Sequence, residues 1–456
     1  MNLHFIALLS PAASALALSP ILASIAPAAQ NPIVPLWRNP RLQLDWERRY
    51  EHGIMGHDSL AAVDTDAAGN VYVAGASLGL SASYTYEIVT LKYSPDGALL
   101  WERRYDSAGS GFDDRAVDID VGPDGLIRVL GDGPGASGDN DIVLLCYDSS
   151  GLLQWARRWS NWWSDKAEQM AVAADSSTYV LGGSYYPGNV SDIVLLKYDA
   201  AGALSWARSF HGGHGTDVGV GLGIDSIGNI LVGGYSIQAP GGVNFDWLAL
   251  QYDAAGTLLW SRTLAGAATG MPDYPWGVHA DRMDGIVLTG YLVNSAGLQD
   301  FTTARFDGSG SLDWTHGFGA ASGAGKVAAS DDAGRVYVAG GDRVAAYAAG
   351  GTLLWTALFG DASLLWADAT SITLDARGRL LVAGSAWDPL RASQFFLEAF
   401  SGGGAVLARF SHGGPASDAP AGGGLRAGPS GSILLTGSSS NGHDNDGLTL
   451  KLHLGY

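Results

Sequence analysis

The chain has 456 residues, 47% of them hydrophobic, with 26 basic side chains against 45 acidic ones and a formal net charge of −19. No run of Lys and Arg reaches five residues, so the concentrated basic surface that phosphate backbones require is missing, and nucleic acid is excluded as a partner. The single cysteine, Cys146, sits in the apolar run DIVLLCYD where parallel runs carry Lys92, Lys197 or Gln251, so neither a disulfide framework nor a cysteine metal site can be built.

The first thirty residues, MNLHFIALLSPAASALALSPILASIAPAAQ, are apolar, rich in alanine and free of charged side chains. Their small-residue end, Ala26-Pro27-Ala28, fits signal-peptidase cleavage next to Ala29, and Pro11 and Pro20 argue against a membrane-spanning helix. Residues 1–29 therefore read as a secretory signal, 30–40 as a short extension, and 41–456 as the folded body. No later run of eighteen apolar residues follows, so the mature chain is expected to lack a membrane span and to be exported, whether to periplasm, cell surface or medium.

From residue 41 onward one phrase recurs: a Gly turn, an apolar strand, a second Gly turn, then Trp-x-Arg-x-aromatic. Its anchors are Trp46, Trp101, Trp155, Trp206, Trp260, Trp314, Trp355 and Leu407, spaced by 55, 54, 51, 54, 54, 41 and 52 residues. The second unit shows the content of each period: WERRY (101–105), RAVDID (115–120), IRVLG (127–131) and DIVLLCYD (141–148). Four short strands bounded by Gly, Asp, Asn and Pro make one twisted blade, and a blade buries its two faces only against neighbours in a ring. The sequence therefore predicts an all-β chain, a single β-propeller of eight four-stranded blades, with seven as the alternative count because the Leu407 unit is degenerate. The sixth unit is shortened through a direct turn at Gly341-Asp342. The chain begins with one segment, 41–50, and ends with three, near 417–427, 432–437 and 447–453. The N-terminal strand is expected to complete the C-terminal blade, closing the ring, removing free sheet edges and leaving a monomer.

The phrases D-x-x-G-N-V-Y-V-x-G and Y-D-x-x-G-x-L-x-W-x-R resemble the bacterial SBBP-type β-propeller repeat, over about nine tenths of the chain. That resemblance implies an exported propeller from a family whose members mostly lack an assigned activity. The Arg of the phrase is lost after Trp314 (His316) and Trp355 (Ala357). A more distant likeness is to eight-bladed quinoprotein propellers, although Asp199, Gly202 and Trp206 fall one residue short of their docking spacing, and their adjacent cysteines cannot occur here.

Antiparallel blades put the tight D-x-x-G turns on one face and the long connections on the other, where binding residues usually sit. The long connections hold Trp162, Trp163, Tyr185, Tyr186, Tyr274 and Trp276, expected to form an aromatic arc beside Asp165, Asp192 and Asp273. Aromatic faces beside carboxylates suit sugar rings and also mark protein interfaces. Carboxylates recur as two rings. Asp58, Asp114, Asp165, Asp217, Asp273 and Asp418 open inner strands, while Glu87, Asp141, Asp192, Asp246, Asp300 and Asp446 precede third strands. Recurrence favours loop capping over a ligand site. His211 and His214 could share a metal with Asp217, but a solvated Gly-rich loop is the preferred reading of FHGGHGTD. Asp139-Asn140-Asp141 and Asp444-Asn445-Asp446-Gly447 lack the further ligands of a calcium loop, so neither metal nor cofactor is assigned, Ca2+ included. Gly75-Ala76-Ser77-Leu78-Gly79 matches a nucleophile elbow without its strand-to-helix context. The expected function is non-enzymatic: a binding or scaffold module presenting its long-loop face to a protein or surface polysaccharide. The alternative is an enzyme at the channel mouth, either a polysaccharide lyase or hydrolase or a quinoprotein-like oxidoreductase.

Overall fold

The structure, a computed structural model, describes residues 41–455 apart from the loop positions 53–56, 80–84, 108–112, 136–137, 162, 189, 239–243, 320–323, 361–363, 365, 389–391, 414–416 and 441–443. The signal and extension assigned to 1–40 lie outside the described residues. Among those described, no helix is long and apolar enough to cross a membrane.

Eight blades of four antiparallel strands form the ring, which settles the count left open by the Leu407 unit. Blade one runs Asp58–Thr65, Val71–Leu78, Tyr86–Tyr93 and Leu99–Tyr105 from the inner strand outward, and blades two to seven repeat this order. Blade eight takes Ser417–Ala427, Ser432–Ser440 and Asn445–Gly455 from the C-terminal end and its outer strand, Arg41–Tyr50, from the other. The closure follows the expected pairing, with Trp46 opposite Lys451 and Tyr50 opposite Gly447. One parallel bridge, Ala62 to Gly423, also joins the inner strands of blades one and eight.

The core is divided in the same way as the chain. Eight clusters of buried side chains occur, one between each pair of successive blades. At the junction of blades one and two, Tyr72, Ala74 and Ile88 meet Ile127, Val129 and Leu145. Each strand pair alternates its apolar side chains between the two flanking junctions, so no blade holds a core of its own.

The repeated Trp-x-Arg on five of the outer strands grips the second Gly turn of the following blade. The indole Nε1 of Trp101 donates to Ser149 O at 3.1 Å, that of Trp206 to Ala254 O at 3.2 Å, and that of Trp260 to Gly308 O at 3.2 Å. Two residues on, Arg103, Arg208 and Arg262 donate through Nε to Gly151 O, Gly256 O and Gly310 O at 2.6–2.8 Å. Each guanidinium also lies over its own indole, 5.2 Å from the ring centre for Arg208 and Trp206. The turn residue must be glycine on two counts. Gly202 has φ +77°, and a Cβ there would fall 2.6 Å from the Trp155 ring. Trp46 and Trp260 are buried and the other five repeat tryptophans half-buried, because the turn and the arginine cover one side of each ring.

Leu407 breaks the series for a geometric reason. The blade it faces has no turn between third and outer strands, since these are Asn445–Gly455 and Arg41–Tyr50. With no turn to grip, Leu407 packs instead on the apolar cluster containing Leu42 and Leu454.

Trp260→Ala should lower stability by about 3 kcal/mol, the cost of a large-to-small change at a buried site, measured by urea denaturation. Truncation to Glu51 should lower the Tm relative to truncation to Arg41, because it bares the edge of Asn445–Gly455; equal Tm values would refute the role of the closure.

Candidate functional site

The inner strands carry β-bulges that shape the central channel. Register shifts fall between Ala116 and Asp118, Ala167 and Gln169, Gly219 and Gly221, Pro275 and Gly277, and Ala369 and Ser371. A bulge leaves one residue unpaired and re-aims its side chain. Here the residues so released are Val117, Glu168, Val220, Trp276 and Thr370, and all five line one cavity of about 430 Å³ on the ring axis. Lys326, beside the first residue of the short blade-six strand, joins them and pairs with Asp368 at 2.5 Å. Trp276 is 52% exposed.

Below this ring, inner-strand side chains tie one blade to the next. Asp64 accepts from Val121 N at 2.8 Å, Asp118 from Met170 N at 3.0 Å, Asp120 from Val172 N at 3.3 Å, and Gln169 from Leu222 N at 2.9 Å. Asp132, on the second strand of blade two, accepts from Ala167 N at 2.5 Å in the same sense. Burial deep in the ring pushes Asp118 up to about 7 and Asp132 up to about 7. Asp120 is pushed up as well, by burial and then by the neighbouring Asp64 carboxylate.

The carboxylates that open the inner strands are turned into their own loops. Asp58, Asp114, Asp165, Asp217 and Asp273 are all buried. They accept from the backbone amides of His52, Ser107, Asn161, Gly212 and Gly266 at 2.6–3.0 Å. Burial pushes all five above the usual carboxylate range. Of the candidates Asp165, Asp192, Asp217 and Asp273, only Asp192 keeps an appreciable face to solvent. The others shape the loop face and do not reach out from it. For Asp418 the strand position is described and the side chain is not.

The third-strand carboxylates have partners of a different kind. Glu87 pairs with Arg104 at 2.7 Å and Asp141 with Arg158 at 3.3 Å, and Arg49 stands 3.9 Å from Asp446. Each arginine is the third residue after a repeat tryptophan. Ser77, the would-be nucleophile, is buried and accepts from Arg104 Nη1 at 2.8 Å, so the elbow motif marks a structural serine.

Of the aromatic candidates, Trp162 lies outside the described residues, while Trp163 and Tyr185 are exposed. Tyr186 is half-buried, its hydroxyl accepting from Asn161 Nδ2 at 3.1 Å. Tyr274 stands at the centre of a cluster with Tyr235 (4.9 Å), Phe245 (5.5 Å), Tyr291 (5.8 Å) and Trp276 (5.9 Å). Two further exposed tryptophans escaped sequence reasoning: Trp366 and Trp387, paired across the first two strands of blade seven and 52% and 41% exposed. The signal was available, because both are tryptophans outside the repeat position. The bulge residues Glu168 and Thr370 gave no such signal, since a bulge cancels the two-residue alternation by which a strand's faces are read.

The molecule is an eight-bladed β-propeller whose axial cavity is lined by polar and aliphatic side chains and one tryptophan, Trp276. Solved structures of similar architecture include the β-propeller domain of the trilobed protease from Pyrococcus furiosus, at 11% identity over 77% of this chain and 98% of that one, with a TM-score of 0.44. Drosophila Plexin A in complex with Semaphorin 1b is similar at 10% identity over 91% and 88%, with a TM-score of 0.46. A protein of unknown function from Bacteroides caccae is similar at 11% identity over 66% and 94%, with a TM-score of 0.34. No family model matches this sequence, and none of the curated proteins does.

The raised carboxylates Asp118, on an inner strand, and Asp132, on a second strand, set a pH dependence. An unfolded Asp loses its proton near pH 4, whereas native Asp118 and Asp132 hold theirs to about 7. The native state therefore binds more protons in that window, and stability should fall as pH rises from 4 to 7. Asp118→Asn, which keeps the acceptor for Met170 N, should flatten this slope in Tm-against-pH scans; an unchanged slope would show that Asp118 titrates normally.

Proposed function

We propose that this chain is an exported binding module that holds a carbohydrate at the long-loop mouth of its channel. The observation that carries the reading is the ring of bulge-position side chains. Seven blades present Ala61, Val117, Glu168, Val220, Trp276, Lys326 and Thr370 at equivalent places, and the last six line the cavity. A purely structural ring would repeat one residue type there. This ring instead sets one broad aromatic face against an acid, an ammonium and a hydroxyl. Sugar C–H faces stack on indole, and sugar hydroxyls both donate to carboxylates and accept from ammonium groups. A volume of about 430 Å³ is in the usual range for small-ligand sites. Trp366 and Trp387 extend the aromatic surface outward on the same face, as a longer chain of sugar units would need. Export is part of the same proposal and is supported by the charge-free apolar leader and by the resemblance to the SBBP-type repeat.

A glycan array probed with the purified chain tests this directly. Binding to at least one oligosaccharide class is expected, with at least a tenfold loss in Trp276→Ala and a smaller one in Lys326→Ala. Absence of any glycan signal, or binding untouched by Trp276→Ala, would overturn the reading.

A further inference from the structure

The junction of blades three and four departs from its counterparts in one respect. At five junctions the start of a third strand and the start of the next blade's inner strand both bring a carboxylate to the long-loop side: Asp446 and Asp58, Glu87 and Asp114, Asp141 and Asp165, Asp192 and Asp217, Asp246 and Asp273. Two acids at close quarters repel, and the repeat answers with a cation. Arg49, Arg104 and Arg158 bring a guanidinium to the first three pairs. The equivalent residue at the fourth, three places after Trp206, is Ser209. Ser209 stands opposite Val194, two residues beyond Asp192, the register that Arg104 and Arg158 keep with Glu87 and Asp141. The cation is gone and both acids remain.

His211 has moved into its place. Its Nδ1 lies 3.0 Å from Asp192 Oδ1, and one donor atom each from Asp192, His211 and Asp217 fall within 4.8 Å of one another. Asp217 is 1% exposed. One of its oxygens accepts from Gly212 N, while Oδ1 is sealed from solvent without a hydrogen-bond partner. The following junction, Asp246 with Asp273, has also lost its arginine, to Thr263, yet needs no cation there. Both Asp273 oxygens are taken by backbone amides, of Val293 and Gly266, and Asp246 accepts from Asn244. Among the described residues, only Asp192, His211 and Asp217 bring three such donor atoms within 4.8 Å of one another.

We infer that Asp192, His211 and Asp217 bind a divalent transition-metal ion in the position that an arginine guanidinium fills at the equivalent junctions. Two carboxylate oxygens and one imidazole nitrogen suit Zn2+ or Mn2+ and leave coordination positions for water. Ca2+ is disfavoured, because it takes oxygen ligands and has no use for the imidazole. Donors about 2.1 Å from a shared ion lie at most about 4.2 Å apart, so the cluster must draw in slightly. His211 rides on the Gly-rich loop His211–Gly215 and can make that adjustment. The site differs from the sequence expectation of His211, His214 and Asp217, because Asp192 and not His214 stands with the other two.

Titration calorimetry of the purified full chain with Zn2+, and Mn2+ binding followed by EPR, should show one ion per chain. His211→Ala and Asp217→Asn should each weaken binding at least tenfold, while His214→Ala leaves it unchanged. Asp217→Asn also disturbs a loop cap and could lower the folded fraction. The deciding variant is therefore Ser209→Arg, which restores the guanidinium of the other blades and should abolish metal binding with the Tm kept or raised. Absence of stoichiometric Zn2+ and Mn2+ binding by the native chain would overturn the assignment. So would binding that survives in both His211→Ala and Ser209→Arg.

Discussion

The grip of each Trp-x-Arg on the next blade's Gly turn is the interaction on which the ring depends. It combines a half-buried or buried indole, a hydrogen bond from its Nε1, a charge-assisted bond from the arginine and a cation–π contact. Each polar part is worth roughly 1 kcal/mol on its own. The geometry matters more than the sum, because the outer strand is where successive blades splay farthest apart and an apolar core alone would leave a gap. Five junctions have the arginine as well as the tryptophan, and those after Trp314 and Trp355 keep the indole alone. The eighth, from blade seven to blade eight, has a leucine and is held where the strands of the two chain ends pair, with Leu407 packed on Leu42 and Leu454. Closure by strand exchange and closure by the tryptophan grip are thus alternatives that use the same place in the ring.

At the inner edge the constraint is reversed, since eight strands converge on a narrow axis. The bulges relieve the crowding by pushing one side chain per strand into the channel. The side chains just beyond, Asp118 and Gln169, turn sideways and accept the neighbouring blade's amides. The acids on the axis are therefore mortar, and their raised pKa values reflect that burial. The same logic applies on the loop face, where the inner-strand aspartates hold the amides of their own loops.

Much of this was legible in the sequence, and the reasons differ from element to element. The fold was readable because a fifty-residue period of turns and strands has few physical solutions, and the closure because one segment at one end complements three at the other. The inner-strand aspartates cap their own loops as recurrence suggests, whereas the third-strand carboxylates Glu87 and Asp141 pair with arginines of the outer strand, a role that recurrence alone does not distinguish from capping. The aromatic arc was less legible. Trp276 enters the channel only because a bulge at Pro275–Gly277 turns it there, and no strand pattern announces a bulge. Trp366 and Trp387 sit on strand ends, not in the long connections where binding residues are expected. Lys326 falls in the shortened blade, where the loss of the long second-to-third connection at Gly341-Asp342 obscures its equivalence to the other bulge positions.

Function in such a ring is best sought where the repeat fails without structural cause. Leu407 fails for a structural cause, the missing turn, and carries no functional message. The loss of Arg after Trp314 and Trp355 removes one bond from a grip that the indole bonds to Ala349 O and Gly402 O still make. Trp276, Glu168 and Lys326 are different, because valine and alanine fill the same positions in other blades without loss of the ring. A tryptophan half in water gains nothing for the fold that Val220 would not supply. Ser209 belongs in this second group. Replacing a guanidinium between two acids with a hydroxyl leaves their repulsion unanswered unless another cation arrives, and the imidazole of His211 adds a third donor to the two carboxylates.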